Sequence, residues 1–281
     1  MTNSAGGRVA RIFSNLIVYF VTLIMMIPLV WTFLMSFKTN SEIFESPLSL
    51  PSSFSLANYA RALKVLDISK MYLNTIFVAV MAVGIALIIS FMSSYALSRM
   101  IFKNRLLQKG LNQYLLMGLM ISPFILLFPV YRLAVWFKLY NTFWALILPY
   151  IATQLSFNTL LLVNFFKGLP GEIEEACLID GCTLFQLCTR IIAPMAKPVL
   201  FTVLVFNVLY IWNEYPIASV LLQKAEMYTL SMGASMFKGA YSVDNAGIVA
   251  ASMLIIIPQL IFFGFFQRYI VDGMTAGAVK G

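Results

Sequence analysis

The residues from 168 to 198 hold the most ordered chemistry of the chain. A Pro-Gly pair is followed by three acids, Glu172, Glu174 and Glu175, and then by a glycine at position 181. Acidic side chains in a first turn complement the positive end of the helix dipole. A glycine after a last turn commonly takes the left-handed conformation that ends a helix. The pattern therefore predicts a short helix that begins near Glu172 and stops at Gly181.

A second short helix is predicted directly after this glycine. Thr183 and Gln186 fit a capping box. An apolar stripe follows at helical spacing: Leu184, Leu187, Cys188 and Ile191. Pro194 and Pro198 are expected to end the segment, because proline lacks the backbone donor that a helix interior needs. The segment therefore reads as helix, glycine turn and helix.

Two interpretations of this helix pair remain open on physical grounds. In one, it is an amphipathic hairpin that lies at a membrane surface without a partner. In the other, it docks on another protein. The second interpretation uses Ile173, Ala176 and Cys177, which share one face of the first helix at helical spacing. Small side chains on that face would allow a partner to approach closely.

Enzymatic chemistry finds little support in the sequence. The chain has no histidine, which is the commonest general base and metal ligand. Its three cysteines, at positions 177, 182 and 188, do not have metal-binding spacing. It also lacks a G-x-x-x-x-G-K-[ST] phosphate loop and a GxSxG elbow. We therefore expect no catalytic, metal or nucleotide site in this chain.

The composition indicates which elements must position these residues. Hydrophobic residues make up 61% of the chain and charged residues 11%, with a mean hydropathy of +0.88. Soluble domains carry about 25% charged residues. A helix needs about 20 apolar residues to cross a bilayer. We therefore expect an all-α polytopic membrane protein with six transmembrane helices, within residues 12–37, 71–98, 110–131, 139–166, 198–223 and 245–267.

The basic residues predict the orientation rather than a nucleic-acid partner. Although the net charge is +8, these residues lie in short groups between apolar runs, a pattern that sets membrane topology. The sharpest group contains no acid: Arg99, Lys103, Arg105 and Lys109. We place this loop and both termini in the cytoplasm.

Three motifs together resemble those of one transporter family. The octet Glu-Glu-Ala-Cys-Leu-Ile-Asp-Gly is similar to the EAA motif of bacterial ABC importer permeases, with matches at Glu175, Ala176, Asp180 and Gly181. The departures are small: cysteine for alanine at 177 and 182, and alanine for leucine at 193. Residues 212–215, Trp-Asn-Glu-Tyr, resemble the signature that closes the fifth span of carbohydrate permeases. Residues 267–269 and 275–281 resemble the ending of the maltose-type second permease subunit.

This resemblance implies a type I (MetI-like) ABC importer permease architecture. Residues 1–70 would form an N-terminal anchor helix and an extracytoplasmic segment, 71–268 the permease core, and 269–281 a cytoplasmic tail. The chain would be a multi-pass protein of the bacterial cell membrane. It would form half of the translocation path.

The resemblance also implies partners. A second permease subunit would complete a heterodimer, two ATP-binding subunits would carry the ATP and Mg²⁺, and an extracytoplasmic sugar-binding protein would deliver the solute. This chain itself would hold no cofactor. The hairpin would couple it to the ATPase subunits through Glu174, Glu175, Ala176, Cys177, Asp180 and Gly181.

Five polar residues are candidates for the substrate path. Gln154 and Asn158 lie four apart in one span, and Asn207, Tyr210 and Glu214 are spaced i, i+3 and i+7 in the next. Each set lies on one helix face. Sugars are recognised by amide, hydroxyl and aromatic groups, so a polar stripe would suit them. Interhelical hydrogen bonding, worth roughly 0.6–2 kcal/mol per contact, explains the same spacing, and we favour this second interpretation.

Alternative functions are a stand-alone ion-coupled or facilitative carrier, an ABC permease for a non-sugar solute such as a peptide or amino acid, and a membrane scaffold. Ion coupling usually places ionisable residues inside the spans. The expected spans are almost free of such residues.

Overall fold

The computed structural model describes residues 5–239 and 242–278, with side chains from position 11 to position 269. Its helices in chain order are α1 (Ala5–Met35), α2 (Asn40–Glu45), α3 (Ala57–Val65), α4 (Ile68–Arg99), α5 (Arg105–Met117), α6 (Pro123–Trp136), α7 (Trp144–Gly168), α8 (Glu172–Ile179), α9 (Leu184–Gln186), α10 (Ala193–Met195), α11 (Lys197–Asn213), α12 (Pro216–Leu221) and α13 (Asn245–Ala278). A π-helical turn, Leu187–Ile192, joins α9 to α10. Shorter 3₁₀ segments lie at Gly118–Met120, Ala225–Met227 and Leu230–Phe237.

The expected polytopic all-α fold is confirmed. In the described residues, four stretches are long and apolar enough to cross a membrane: Arg11–Met35, Ile68–Arg99, Trp144–Gly168 and Asn245–Tyr269. Two further candidates are bent pairs, α5 with α6 at 105° and the α9–α10 segment with α11 at 75°. If each bent pair counts as one span, these residues provide the predicted six.

The third predicted span, 110–131, is wrong as a continuous helix. The chain breaks before Pro123, the first residue of α6, and Ser122 is extended, with φ −67° and ψ 133°. A proline disfavours helical geometry in the residue that precedes it. The apolar run therefore folds as two helices at a steep angle rather than as one rod.

The fourth predicted span begins later than residue 139. Lys138 and Asn141 both have positive φ, 57° and 59°, a conformation that few residues other than glycine adopt. The Asn141 side chain accepts hydrogen bonds from the backbone N–H groups of Gln223 and Lys224, at 3.0 and 3.2 Å. These turns delay the helix start to Trp144.

The fifth predicted span, 198–223, is also divided. Helix α11 ends at Asn213, and Glu214 is extended, with ψ 108°. The Glu214 carboxylate then accepts the N–H groups of Ile217 and Ala218 at 2.7 and 3.2 Å. It therefore begins a separate short helix, α12, at the position where the sequence suggested one continuous helix.

The chain divides into two compact units. The first contains Met1–Asp67 and Gly233–Ile256, and the second contains Ile68–Met232 and Ile257–Gly281. The predicted boundaries at residues 70 and 268 assign functional segments and stay a prediction. The side chains of the predicted tail beyond position 269 lie outside the described residues, as do residues 279–281 entirely.

Polar contacts hold the first unit together outside its long helices. Lys38 is fully buried, and its Nζ donates to the carbonyls of Ser46 and Pro47 at 2.9 and 3.2 Å. Arg61 forms an ion pair with Asp244 at 3.2 Å. A buried lysine is stable only when such acceptors replace its water.

The second unit has two apolar clusters, and each supports one candidate site. One contains Val78, Leu146, Tyr150, Ile217 and Leu221, so it packs α4, α7 and α12 together. The other contains the buried residues nearest the hairpin: Tyr95, Leu162, Phe166, Cys177, Leu187, Ile192, Ala196, Val199 and Val203.

Candidate functional site

The first helix of the hairpin begins as predicted. Glu172, Glu174 and Glu175 all lie in the first turn of α8. The N–H groups of Glu174 and Glu175 donate to the carbonyl of Gly171 at 3.0 and 3.2 Å. The acids therefore lie at the positive end of the helix dipole, where negative charge is favoured.

Gly181 ends this helix in the predicted left-handed conformation, with φ 76°. Its N–H donates to the Leu178 carbonyl at 3.1 Å, and the N–H of Cys182 donates to the Cys177 carbonyl at 3.0 Å. This pair of bonds is the Schellman motif, which satisfies the last free carbonyls of a helix. A side chain at 181 would meet open space, so the backbone conformation, rather than crowding, calls for glycine.

The capping box at the start of the second helix is also confirmed. The N–H of Thr183 donates to Gln186 Oε1 at 2.9 Å, and the N–H of Gln186 donates to Thr183 Oγ1 at 3.3 Å. Pro194, however, does not end this segment. It lies inside the helical stretch, directly after the π-helical turn, and such wider turns accommodate a residue that cannot donate to the helix ladder. The bend comes later, at Ala196.

The predicted small-residue face of α8 is wrong. Ala176 is exposed, whereas Cys177 is only 3% exposed and packs in the apolar cluster below the hairpin. The outward surface instead carries two large apolar side chains, Leu178 at 64% exposure and Ile179 at 85%. The apolar cluster that contains Cys177 covers this side of α8, so Cys177 faces inward while Ala176 stays exposed. The exposed residues of this surface are Glu175, Ala176, Leu178, Ile179, Asp180 and Gly181.

The pKa of the Cys177 thiol also indicates a packing role rather than a reactive one. A hydrogen bond with the Cys182 side chain, followed by burial, raises the pKa of Cys177 to about 11. Its thiol is therefore protonated at neutral pH, and a protonated thiol is a weak nucleophile and metal ligand. Within the described residues, no group of histidine, cysteine and acidic side chains could hold a metal ion.

Glu174 does not share the outward surface either. Its Oε1 forms an ion pair with Arg99 Nε at 2.8 Å and accepts a hydrogen bond from the Tyr95 hydroxyl at 3.2 Å. Neither partner was predicted from the sequence. Arg99 was visible only as one of four basic residues in a loop, and no spacing rule connects positions that are 75 residues apart.

The candidate path residues lie together in the second unit. Gln154, Asn207, Tyr210 and Glu214 line one cavity of about 710 Å³, here called the polar cavity. Asn158 is fully buried and does not line it. The cavity also presents aromatic side chains that sequence analysis did not single out: Phe124, Phe157 and Phe206. Nothing distinguished these three from the other phenylalanines of an aromatic-rich membrane chain.

The path residues play different roles inside this region. Asn207 Nδ2 donates to Asn158 Oδ1 at 3.0 Å, so these two amides join α11 to α7, as the interhelical interpretation expects. Gln154 is different. It is 4% exposed, and neither its Nε2 nor its Oε1 has a hydrogen-bond partner among the described residues. Buried polar groups are nearly always paired, so the unpaired amide of Gln154 is an exception, a path residue that lacks a structural task.

Glu214 serves mainly to hold the backbone. Besides the two N–H groups of α12, its carboxylate accepts the Tyr150 hydroxyl at 2.5 Å, and its own carbonyl accepts the Ser231 hydroxyl at 2.6 Å. A carboxylate buried in an apolar region is stable only with such donors. Glu214 therefore lines the cavity with oxygens that the protein already uses.

Comparisons with known proteins identify the family of this chain. The family described as "Binding-protein-dependent transport system inner membrane component" matches residues 86–276. The diacetylchitobiose uptake system permease protein NgcG of Streptomyces coelicolor is 31% identical, over 99% of this chain and 91% of its own. The trehalose/maltose transport system permease protein MalG of Thermococcus litoralis is 32% identical, over 92% of this chain and 93% of its own.

A solved structure shares the fold. It is the crystal structure of a bacterial ABC transporter involved in the import of the acidic polysaccharide alginate, with a TM-score of 0.77 at 22% identity, covering 96% of this chain and 99% of that one. The family match spans most of the chain, and it is a family of membrane components rather than of ATPases. The chain therefore belongs to the binding-protein-dependent transport system inner membrane components, the permease subunits of ABC importers.

Proposed function

We propose that this chain is a permease subunit of an ATP-driven carbohydrate importer and forms half of its translocation path. The observation that carries the proposal is the polar cavity, where the free amide of Gln154 lies among aromatic rings. An amide that offers both a donor and an acceptor suits a sugar hydroxyl, which needs both. The names of the two relatives, for uptake of diacetylchitobiose and of trehalose and maltose, support the same solute class.

The five path residues, four of which line the cavity, have separate tasks. Gln154 contacts the solute, and Tyr210 contributes an aromatic face and a hydroxyl. Asn207 and Asn158 hold α7 and α11 at a fixed spacing through their hydrogen bond. Glu214 fixes the start of α12 and thereby the wall of the cavity. All five residues therefore serve the translocation path, but only Gln154 and Tyr210 contact the solute directly.

The assembly follows the family plan. A second permease subunit completes a heterodimer, an extracytoplasmic sugar-binding protein delivers the solute, and two ATP-binding subunits carry the ATP and Mg²⁺. The hairpin docks on an ATP-binding subunit through its outward surface, where Glu175, Ala176, Asp180 and Gly181 lie. Glu174 and Cys177 hold the hairpin from the inner side. Both chain termini and the 99–109 loop lie in the cytoplasm.

Uptake by the reconstituted complex tests this function. The permease pair, the ATPase subunits and the binding protein are placed in lipid vesicles, and labelled oligosaccharides are offered beside labelled peptides and amino acids. We expect ATP-dependent uptake of an oligosaccharide and none of the others. Uptake of peptides or amino acids only would contradict the solute class. Sugar flux through this chain without ATPase subunits would favour a stand-alone carrier.

A further inference from the structure

Arg99 attaches the end of α4 to the hairpin through two separate bonds. Arg99 is the last residue of α4. Its Nε pairs with Glu174 Oε1 at 2.8 Å, and its Nη1 donates to the Leu169 carbonyl at 3.1 Å. One bond therefore reaches the first turn of α8, and the other reaches the residue that ends α7. A guanidinium with two bonds in different directions fixes an angle as well as a distance.

Tyr95, one turn earlier on α4, reinforces the same contact. Its hydroxyl donates to the same Glu174 oxygen at 3.2 Å, and its ring meets Phe166 edge to face with centroids 5.7 Å apart. Cys177, one turn beyond Glu174, is buried in the apolar cluster that contains both rings. Helix α8 is thus held by an ion pair at its start and by packing along its inner side.

The pair is better placed than an ordinary surface ion pair. The Arg99 and Glu174 side chains are 14% and 18% exposed, and partial burial reduces screening by water and salt. Among the described residues, Glu174 is the acid of this turn that forms an ion pair, and the neighbouring acids Glu172 and Glu175 stay exposed.

We propose that Arg99 is a positioning residue for energy coupling, which joins the hairpin and α4 so that both move as one body when the ATPase subunits close. This inference rests on the proposed function, because it assumes that the hairpin is the element that the ATPase moves. The Arg99–Glu174 pair transmits that movement directly to a long span of the second unit. Without this pair, the hairpin rotates relative to the end of α4, and part of the movement of the ATPase subunits does not reach the span.

A distance measurement tests the proposal without reference to any solute. Spin-labelled unnatural amino acids are placed at Met100 and Ala176 in the complete complex, which keeps the three native cysteines. We expect one narrow distance distribution that is the same with and without bound ATP, and a broadened distribution in Arg99→Gln. A distance that changes with ATP in the unsubstituted complex would overturn the proposal, as would an unchanged distribution in Arg99→Gln.

Transport measured against ATP hydrolysis provides the second readout. In Arg99→Gln, we expect ATP hydrolysis to persist while solute moved per ATP falls by roughly 2- to 30-fold, the range typical of broken coupling contacts. Arg99→Lys retains the positive charge but cannot form both guanidinium hydrogen bonds, so we expect its ratio of solute moved per ATP to lie between those of Arg99→Gln and the unsubstituted complex. Lys103→Gln removes a positive charge from the same loop at an exposed position and serves as the matched control, with no change in the ratio.

These outcomes separate the two proposals. If the unsubstituted complex moves no sugar, the proposed function fails, while the distance measurement still decides the role of Arg99. If sugar moves and Arg99→Gln moves as much per ATP as the unsubstituted chain, the positioning role fails and the function stands. If Arg99→Gln does not assemble, the same two measurements are made on Arg99→Lys. A spin-label distance distribution and a ratio of solute moved per ATP that both equal those of the unsubstituted complex would overturn the positioning role of Arg99.

Discussion

The hairpin and the polar cavity use polar groups in opposite ways. In the hairpin, the groups that shape the turn have partners inside the chain: Thr183 with Gln186, and Glu174 with Arg99. In the cavity, Gln154 is buried with both amide atoms unpaired. A satisfied network fixes one geometry, whereas an unsatisfied buried amide costs stability unless something binds it. The contrast indicates a rigid lever in one region and a binding surface in the other.

Gly181→Val tests the rigid hairpin and has the largest expected effect. A side chain in the left-handed conformation costs roughly 1–2 kcal/mol, and a β-branched one is a clear outlier. We expect ATP-driven uptake to fall about tenfold or more, since 1.4 kcal/mol corresponds to a factor of ten, while membrane insertion persists. Gly168→Val is the matched control, because a side chain there also meets open space and no left-handed φ is involved. Equal uptake in the two variants would contradict the requirement for this turn.

Asn207→Leu tests the amide hydrogen bond that joins α11 to α7. The change removes the donor to Asn158 and leaves a buried amide without its partner, which costs about 1–3 kcal/mol. The free energy of unfolding, measured by denaturant titration in mixed micelles, should fall by that amount. The double variant Asn158→Leu with Asn207→Leu should recover part of the loss. A loss in the double variant equal to the sum of the two single losses would show that the bond does not couple the helices.

Thr183→Ala tests the capping box of the hairpin. Loss of an N-cap side chain costs typically about 1 kcal/mol, so we expect a smaller decrease in unfolding free energy than for Asn207→Leu. Thr189→Ala is the control, because Thr189 is exposed and its hydroxyl bonds only to a carbonyl of its own helical segment. If both threonine variants lose the same free energy, the capping box has no special role.

Gln154→Leu should have the smallest effect on stability and still impair transport. Its amide has no partner to lose, so replacing it with an apolar side chain of similar size should change the unfolding free energy by less than about 0.5 kcal/mol or increase it. Uptake of the oligosaccharide should fall, because the solute loses a donor and an acceptor. Normal uptake together with a loss of stability would contradict this expectation. Gln154 would then have a structural role, as Asn207 does, rather than a role in solute binding.

The sequence predicted local geometry well wherever one residue type has one strong preference. Gly181 at a helix end, Thr183 in a capping box and three acids in a first turn each depend on neighbours within four positions, and all were confirmed. Apolar length alone predicted six spans, and the described residues provide four, or six if each bent pair counts as one span. Helix breaks were harder to predict, because the chain breaks before Pro123, whereas Pro194 continues the helical stretch after a π-helical turn.

Properties that depend on tertiary packing were beyond the sequence. Cys177 was expected to face outward with Ala176, but the apolar cluster around Phe166 determines which side of α8 is buried. The Arg99–Glu174 pair joins distant positions that no periodicity relates. Four of the five path residues lie within α7 and α11, and Glu214 lies just beyond the end of α11. Only their partners distinguish Gln154 from Asn207 and Glu214.

Photo-crosslinking at Ala176 and Cys177 is the most direct test of whether the hairpin docks on a separate ATPase subunit. The two positions are adjacent, but Ala176 is exposed and Cys177 is 3% exposed. A crosslinking amino acid at each is activated in the transporting complex. The account predicts capture of the ATPase subunit from position 176 and only of this chain from position 177. Efficient ATP-driven uptake without any ATPase crosslink from position 176 would contradict it.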